Sequence, residues 1–131
     1  IADQCQHYTQ YAGARPIGVA LIIGGVDEDG TSLFLTDPSG TYIPYNAVAI
    51  GAGSDTATEF LKKYYKPEMT LEESQLLAIS SISMTSGDVK GSSHIKISQI
   101  KSDTKQFEIL DNNKITKLLQ AALEKYPVKE K

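Results

Sequence analysis

Residues 18–26 constrain the fold most, because they predict a β-strand that is apolar on both faces. Side chains alternate across a strand, so Val19 and Leu21 share one face while Ala20 and Ile22 share the other. Such a strand is typical of the interior of a layered fold, where other elements cover both faces. We therefore expect residues 18–26 to be buried on both sides.

Two turn signals after this strand predict an antiparallel meander. The acidic turn at residues 27–30 precedes a partner strand at residues 33–36, and the turn at residues 37–40 precedes a third strand at residues 41–50. Proline cannot donate to the hydrogen-bond ladder of a sheet, so Pro44 indicates that the third strand lies at an edge or contains a bulge.

Helical signals dominate the second half of the chain. A Gly-Ala-Gly turn at residues 51–53 leads into a first helix that Ser54 or Asp55 is expected to cap. Thr70 and Glu73 have the spacing of a capping box at the start of a second helix.

A hairpin and a last helix follow. Residues 95–100 and 107–110 predict the hairpin, and Asp111 is expected to cap the helix. The predicted buried faces are Ala57, Phe60, Leu61 and Tyr64 in the first helix, Leu76, Leu77, Ile79 and Ile82 in the second, and Ile115, Leu118, Leu119, Ala122, Leu123 and Tyr126 in the last. Separate blocks of strands and helices predict the α+β class and a single domain over residues 1–131.

Composition narrows the range of functions. The 131 residues carry 16 acidic and 13 basic side chains, and the bases are scattered apart from a loose group at residues 125–131, which disfavours nucleic-acid binding. One cysteine and two histidines exclude a disulfide framework and argue against a Cys/His zinc site. The longest apolar run, residues 19–23, is far shorter than the roughly 20 residues of a membrane helix. We expect no nucleic-acid partner, no membrane partner, no metal and no cofactor.

Three motifs favour turns over binding or catalytic sites. Residues 51–53 lack the third glycine of a dinucleotide-binding loop, which favours a tight strand-to-helix turn. The acids of residues 27–30 lack the ligand spacing of a calcium loop. Asp37 is expected to bond the backbone of its own turn and not to act as a catalytic acid.

The residues capable of nucleophilic or acid–base chemistry form no recognisable motif. His7 and His94 lie far apart in the sequence, and Cys5 is expected to be a small buried apolar group. Arg15, directly before Pro16, lies either at the rim of an opening or on an ordinary surface.

Two motifs carry a family resemblance. The first is Tyr8-Thr9-Gln10-Tyr11-Ala12-Gly13-Ala14-Arg15-Pro16-Ile17-Gly18-Val19, and the second is Asp37-Pro38-Ser39-Gly40-Thr41. Together they resemble the α-type subunits of the proteasome core particle. The likeness continues through Gly51 and the first helix, is weaker past Met69, and covers nearly the whole chain.

The resemblance implies the N-terminal-nucleophile hydrolase fold, an αββα sandwich of two antiparallel sheets between helical layers. Residues 1–131 resemble only its second half, so that Ile1 begins within a helix. The chain is then expected to supply three strands of one sheet, a hairpin of the other, a two-helix layer and a C-terminal helix. It would leave sheet edges and apolar faces uncovered, and the isolated chain is expected to self-associate through them.

The resemblance implies a structural function without catalysis. Subunits of the α type form seven-membered rings that cap the β rings and control the passage of unfolded substrate, and they carry no catalytic threonine. Ile1, which is not Thr, Ser or Cys, agrees with this expectation. The implied partners are neighbouring α subunits, β subunits, a regulatory ATPase or other activator, and unfolded polypeptide. The implied location is the cytoplasm, and also the nucleus if the source is eukaryotic.

The resemblance also assigns a site. Tyr11, Ala12, Gly13, Ala14 and Arg15 match the loop that forms the narrow entrance ring of the axial channel. Small residues let seven copies approach a narrow axis, and Tyr11 offers an unfolded chain an apolar contact that does not depend on sequence. Ala12 and Ala14 stand where the archaeal pattern often has Gly and Val, which is expected to stiffen the turn. The other matching residues, Tyr8, Thr9, Gln10, Pro16, Gly18, Asp37, Pro38, Ser39, Gly40 and Gly51, are expected to be structural.

Two other functions stay open at this point. The chain is alternatively a threonine-type, N-terminal-nucleophile peptidase subunit trimmed of its nucleophile, and peptide turnover by the purified chain would favour a hydrolase of this fold. It is alternatively a stand-alone α+β binding module, in which case a monomer without affinity for the rest of an α subunit is expected.

Overall fold

A computed structural model describes residues 3, 4, 6, 18–85 and 94–127 and divides the chain into two compact units, Ile1–Val48 and Ala49–Lys131. The first unit contains the strands β1 (Leu21–Val26), β2 (Thr31–Thr36) and β3 (Tyr42–Pro44). The second contains α1 (Ser54–Tyr64), α2 (Leu71–Thr85), β4 (Ser98–Ile100), β5 (Phe107–Ile109) and α3 (Asn112–Lys125). All strand pairs are antiparallel, and the predicted α+β class is confirmed. The single domain over residues 1–131 stays a prediction.

The first unit is a meander in the order β1-β2-β3. Its last strand is shorter than predicted, because β3 ends at Pro44 and does not extend to residue 50. Proline has no backbone N–H, and beyond it the Tyr45 N–H still donates to the Leu33 carbonyl at 2.9 Å. Of the two expectations for Pro44, an edge or a bulge, the edge position is the one found in the described sheet.

The expectation that residues 18–26 are buried on both sides is wrong. Leu21, Ile22 and Ile23 are 37, 40 and 38% exposed, so apolar side chains on both faces of β1 remain accessible. The alternation of residue types indicates which faces of a strand favour burial, but it does not show whether other elements of this chain pack against those faces. The expectation of uncovered apolar faces is confirmed.

The core of the second unit is formed by α2, α3 and the segments that flank the β4–β5 hairpin. Ile79 and Ile115 are each only 1% exposed and anchor this core. The remaining members of the cluster are Leu76, Ile95, Leu110, Leu119 and Ala122. Burial of such aliphatic side chains stabilises the unit by about 1.5–3 kcal/mol per side chain.

Two residues predicted to lie on buried helix faces are exposed, and Tyr64, Leu118 and Tyr126 are only half-buried. Ile82 of α2 is 46% exposed and Leu123 of α3 is 39% exposed. In α2 the buried stripe instead continues from Ile79 to Ser80 and Ser83, which are 2 and 3% exposed. Ile82 is four residues after Ala78, which is also exposed, so these two residues share the solvent-facing side of α2.

Two of the three predicted helix caps are confirmed. The Thr70 N–H donates to Glu73 Oε2 at 3.0 Å and the Glu73 N–H donates to Thr70 Oγ1 at 3.2 Å, which forms the capping box of α2. The Lys114 N–H donates to Asp111 Oδ1 at 2.8 Å at the start of α3. The prediction for α1 is wrong, because its N-cap is Gly53 and no side chain bonds to the first turn.

A chain of polar side chains joins the hairpin to two helices. Gln75 of α2 donates from Nε2 to Gln99 Oε1, and Gln99 Nε2 donates to Glu108 Oε2 at 2.9 Å. Lys114 Nζ donates to Glu108 Oε1, also at 2.9 Å. The hydrogen bond from Lys114, followed by that from Gln99, lowers the pKa of Glu108. The chain fixes one face of the hairpin against α2 and α3.

Candidate functional site

The entrance-ring assignment lies outside the described residues. The residues outside the described part of the chain include the entrance-ring residues Tyr11, Ala12, Gly13, Ala14 and Arg15. They also include Tyr8, Thr9, Gln10 and Pro16, together with Cys5 and His7. Their assigned roles stay predictions. The structure describes Gly18, the turn at residues 37–40, Gly51 and the exposed His94.

The turn between β2 and β3 is built around the carboxylate of Asp37. Asp37 Oδ1 accepts from the Ser39 N–H at 2.9 Å, from the Thr41 N–H at 3.2 Å and from the Ser39 hydroxyl. The Gly40 N–H donates to the Asp37 carbonyl at 3.1 Å, and Gly40 has φ +86°, which favours glycine. Pro38 supplies the fixed φ at the turn position after Asp37. The prediction that Asp37 bonds its own turn is confirmed.

These contacts hold the Asp37 carboxylate in its ionised form. The hydrogen bond from the Ser39 hydroxyl is the largest cause that lowers the Asp37 pKa from its ordinary value of 3.8. An ionised carboxylate of this kind is a poor proton donor at neutral pH. Its role in the turn is structural, because it accepts the hydrogen bonds that hold the turn together.

Ser39→Ala is expected to raise the Asp37 pKa toward 3.8, because it removes the largest contact that lowers it. A lowered pKa contributes stability that is complete above the ordinary value and is lost as the pH falls through the folded-state value. The acid limb of the stability curve should therefore move to higher pH in the variant. NMR titration of the carboxyl carbon measures the pKa directly, and Ser32→Ala, an exposed serine in β2, is the control. An unchanged Asp37 pKa in Ser39→Ala would contradict the role of the Ser39 hydroxyl in stabilising the Asp37 carboxylate.

The turn before α1 is built on two glycines in the left-handed region. Gly51 has φ +97° and Gly53 has φ +81°. The Ser54 N–H donates to the Gly51 carbonyl at 3.2 Å, and the Ala57 N–H donates to the Gly53 carbonyl at 3.1 Å. A Cβ on Gly53 would lie 2.9 Å from the Thr85 Cβ, at the end of α2. The interpretation of residues 51–53 as a tight turn into a helix is supported, and a close approach to Thr85 adds to it. The expected strand before this turn is absent, because β3 ends at Pro44 and residues 45–50 are irregular.

Gly53→Ala is expected to destabilise the chain more than Gly51→Ala. Both variants force alanine into the left-handed region at a cost of about 1–2 kcal/mol. A Cβ on Gly51 meets open space, whereas a Cβ on Gly53 must displace Thr85. Urea unfolding monitored by circular dichroism measures the difference. Equal losses in the two variants would contradict the close approach to Thr85.

The sheet of the first unit has accessible apolar side chains on both faces. The pairing places Leu21 and Ile23 of β1 on the same face as Phe34 and Tyr42, whose rings meet edge to face with centroids 6.0 Å apart. Ile22 lies on the opposite face with Leu35 and Ile43. Tyr42 and Ile43 are 62 and 44% exposed. Both faces are suited to packing against another protein layer.

The β4–β5 hairpin of the second unit also exposes apolar side chains. Phe107 and Ile109 are 63 and 70% exposed, and both lie on the face of β5 opposite to Glu108. Sequence reasoning assigned no role to this pair, nor to Tyr42 and Ile43. The alternation of Phe107, Glu108 and Ile109 was the available signal, because it indicates one apolar and one polar face.

The chemistry of the described residues is that of packing surfaces. Residues 3, 4, 6, 18–85 and 94–127 contain no group of three or more His, Cys, Asp or Glu side chains that could hold a metal ion. In the same ranges, no helix has both the length and the apolar character needed to cross a membrane. The notable features are a hydrogen-bonded turn, a glycine turn and accessible apolar strands.

Comparisons with known proteins identify similar sequences. A family model described as Proteasome subunit matches residues 1–100. The chain is 55% identical over 85 residues to the proteasome subunit alpha of Saccharolobus solfataricus, a match that covers 65% of this chain and 35% of that protein. It is 48% identical over 99 residues to the proteasome subunit alpha of Metallosphaera sedula, which covers 74% of this chain and 41% of that protein. The matches thus span less than half the length of these curated relatives.

Proposed function

Because the chain belongs to the proteasome subunit family, we propose that it acts as a non-catalytic, structural subunit of the proteasome α ring. The observation that carries this proposal is the 48–55% identity to archaeal proteins named proteasome subunit alpha. In this proposal the chain forms part of the ring that encloses the degradation chamber, and the particle is located in the cytoplasm. Its proposed partners are neighbouring α subunits, β subunits, a regulatory ATPase or other activator, and unfolded polypeptide.

The exposed apolar strands support a sandwich architecture for the complete subunit. A sheet within an αββα sandwich has a second sheet on one face and helices on the other, so it needs apolar side chains on both faces. Leu21, Ile22 and Ile23 meet that need on β1. The meander, the hairpin and the three helices match the set of elements expected from the second half of this fold.

Affinity for the remainder of an α subunit tests the proposal. The chain is mixed with the part of the Saccharolobus solfataricus α subunit that lies outside its match, and native mass spectrometry measures the products. The proposal predicts a stable complex that enters rings and does not hydrolyse fluorogenic peptides on its own. Peptide turnover by the chain would favour a hydrolase of this fold, and a monomer without affinity would favour the stand-alone binding module.

The entrance-ring assignment has its own test in assembled particles. Tyr11→Ala is expected to slow the degradation of an unfolded protein while leaving the hydrolysis of a tripeptide unchanged, because only the long chain must contact the ring. Tyr65→Ala makes the same change at a half-buried tyrosine of the second unit and is the control. Equal effects on both substrates would overturn the assignment of Tyr11.

A further inference from the structure

We draw no further inference here: the strongest candidate, the two-faced apolar sheet β1-β2-β3 with β1 at its edge, carries nothing beyond the proposed architecture because nothing in the structure shows what covers it.

Discussion

Replacing Ile79 with alanine is expected to lower the free energy of unfolding by about 2–5 kcal/mol. Ile79 is 1% exposed and belongs to the cluster that joins α2 to α3 and the hairpin segments. The substitution removes buried methyl and methylene groups and leaves a cavity that the surrounding side chains fill only in part. Urea unfolding monitored by circular dichroism measures the loss.

Ile82→Ala is the matched control for this prediction. It makes the same chemical change in the same helix, but Ile82 is 46% exposed. Its expected cost is about 1 kcal/mol or less, because less apolar surface returns to water. Equal losses at positions 79 and 82 would contradict the buried stripe of α2.

The isolated chain is expected to self-associate as its concentration rises. β1 lies at one edge of the described sheet, and its six residues, Leu21–Val26, include no proline and no charged side chain. Proline and charged residues on natural edge strands prevent pairing with other chains. At the opposite edge of the described sheet, β3 contains Pro44. Light scattering should therefore give a molar mass that increases above 14.2 kDa with concentration.

Ile22→Lys is expected to shift the mass back toward that of the monomer. A lysine at this position would have to be buried wherever this face of β1 is covered, and charged side chains that point inward on edge strands are one way in which natural proteins prevent association. Ile82→Lys introduces the same charge at an isoleucine of similar exposure on a helix, and it should leave the association unchanged. A monomer at high concentration for the unchanged chain, or equal effects of the two lysines, would contradict association through the sheet.

Local contacts were predictable from the sequence. The capping box of Thr70 and Glu73, the cap at Asp111 and the turn around Asp37 each depend on residues within four positions of one another. Their geometry follows from the backbone of a single turn, so a short stretch of sequence contains all the information. The helix periods succeeded at Ile79 and Ile115 but failed at Ile82 and Leu123, because burial also depends on what packs against the helix.

Features that depend on distant residues were not predictable. Gly53 replaces the expected Ser54 or Asp55 as the cap of α1, and Thr85 lies where a Cβ on Gly53 would be. The exposure of β1 failed as a prediction because burial depends on which other layers are present, whereas side-chain alternation is a property of the strand alone. The entrance-ring residues around Tyr11 stay a prediction from family likeness.

The hydrogen-bonded side chains Gln75, Gln99, Glu108 and Lys114 favour a single strand register in the hairpin. Gln99 lies opposite Glu108 on one face of the hairpin, and Ile100 lies opposite Phe107 on the other. A slip by a single residue would turn Phe107 toward Gln75 and Lys114 and would remove the partners of Glu108. A misaligned pairing would therefore lose these hydrogen bonds and would also move an apolar side chain to the polar face, so the observed alignment is favoured.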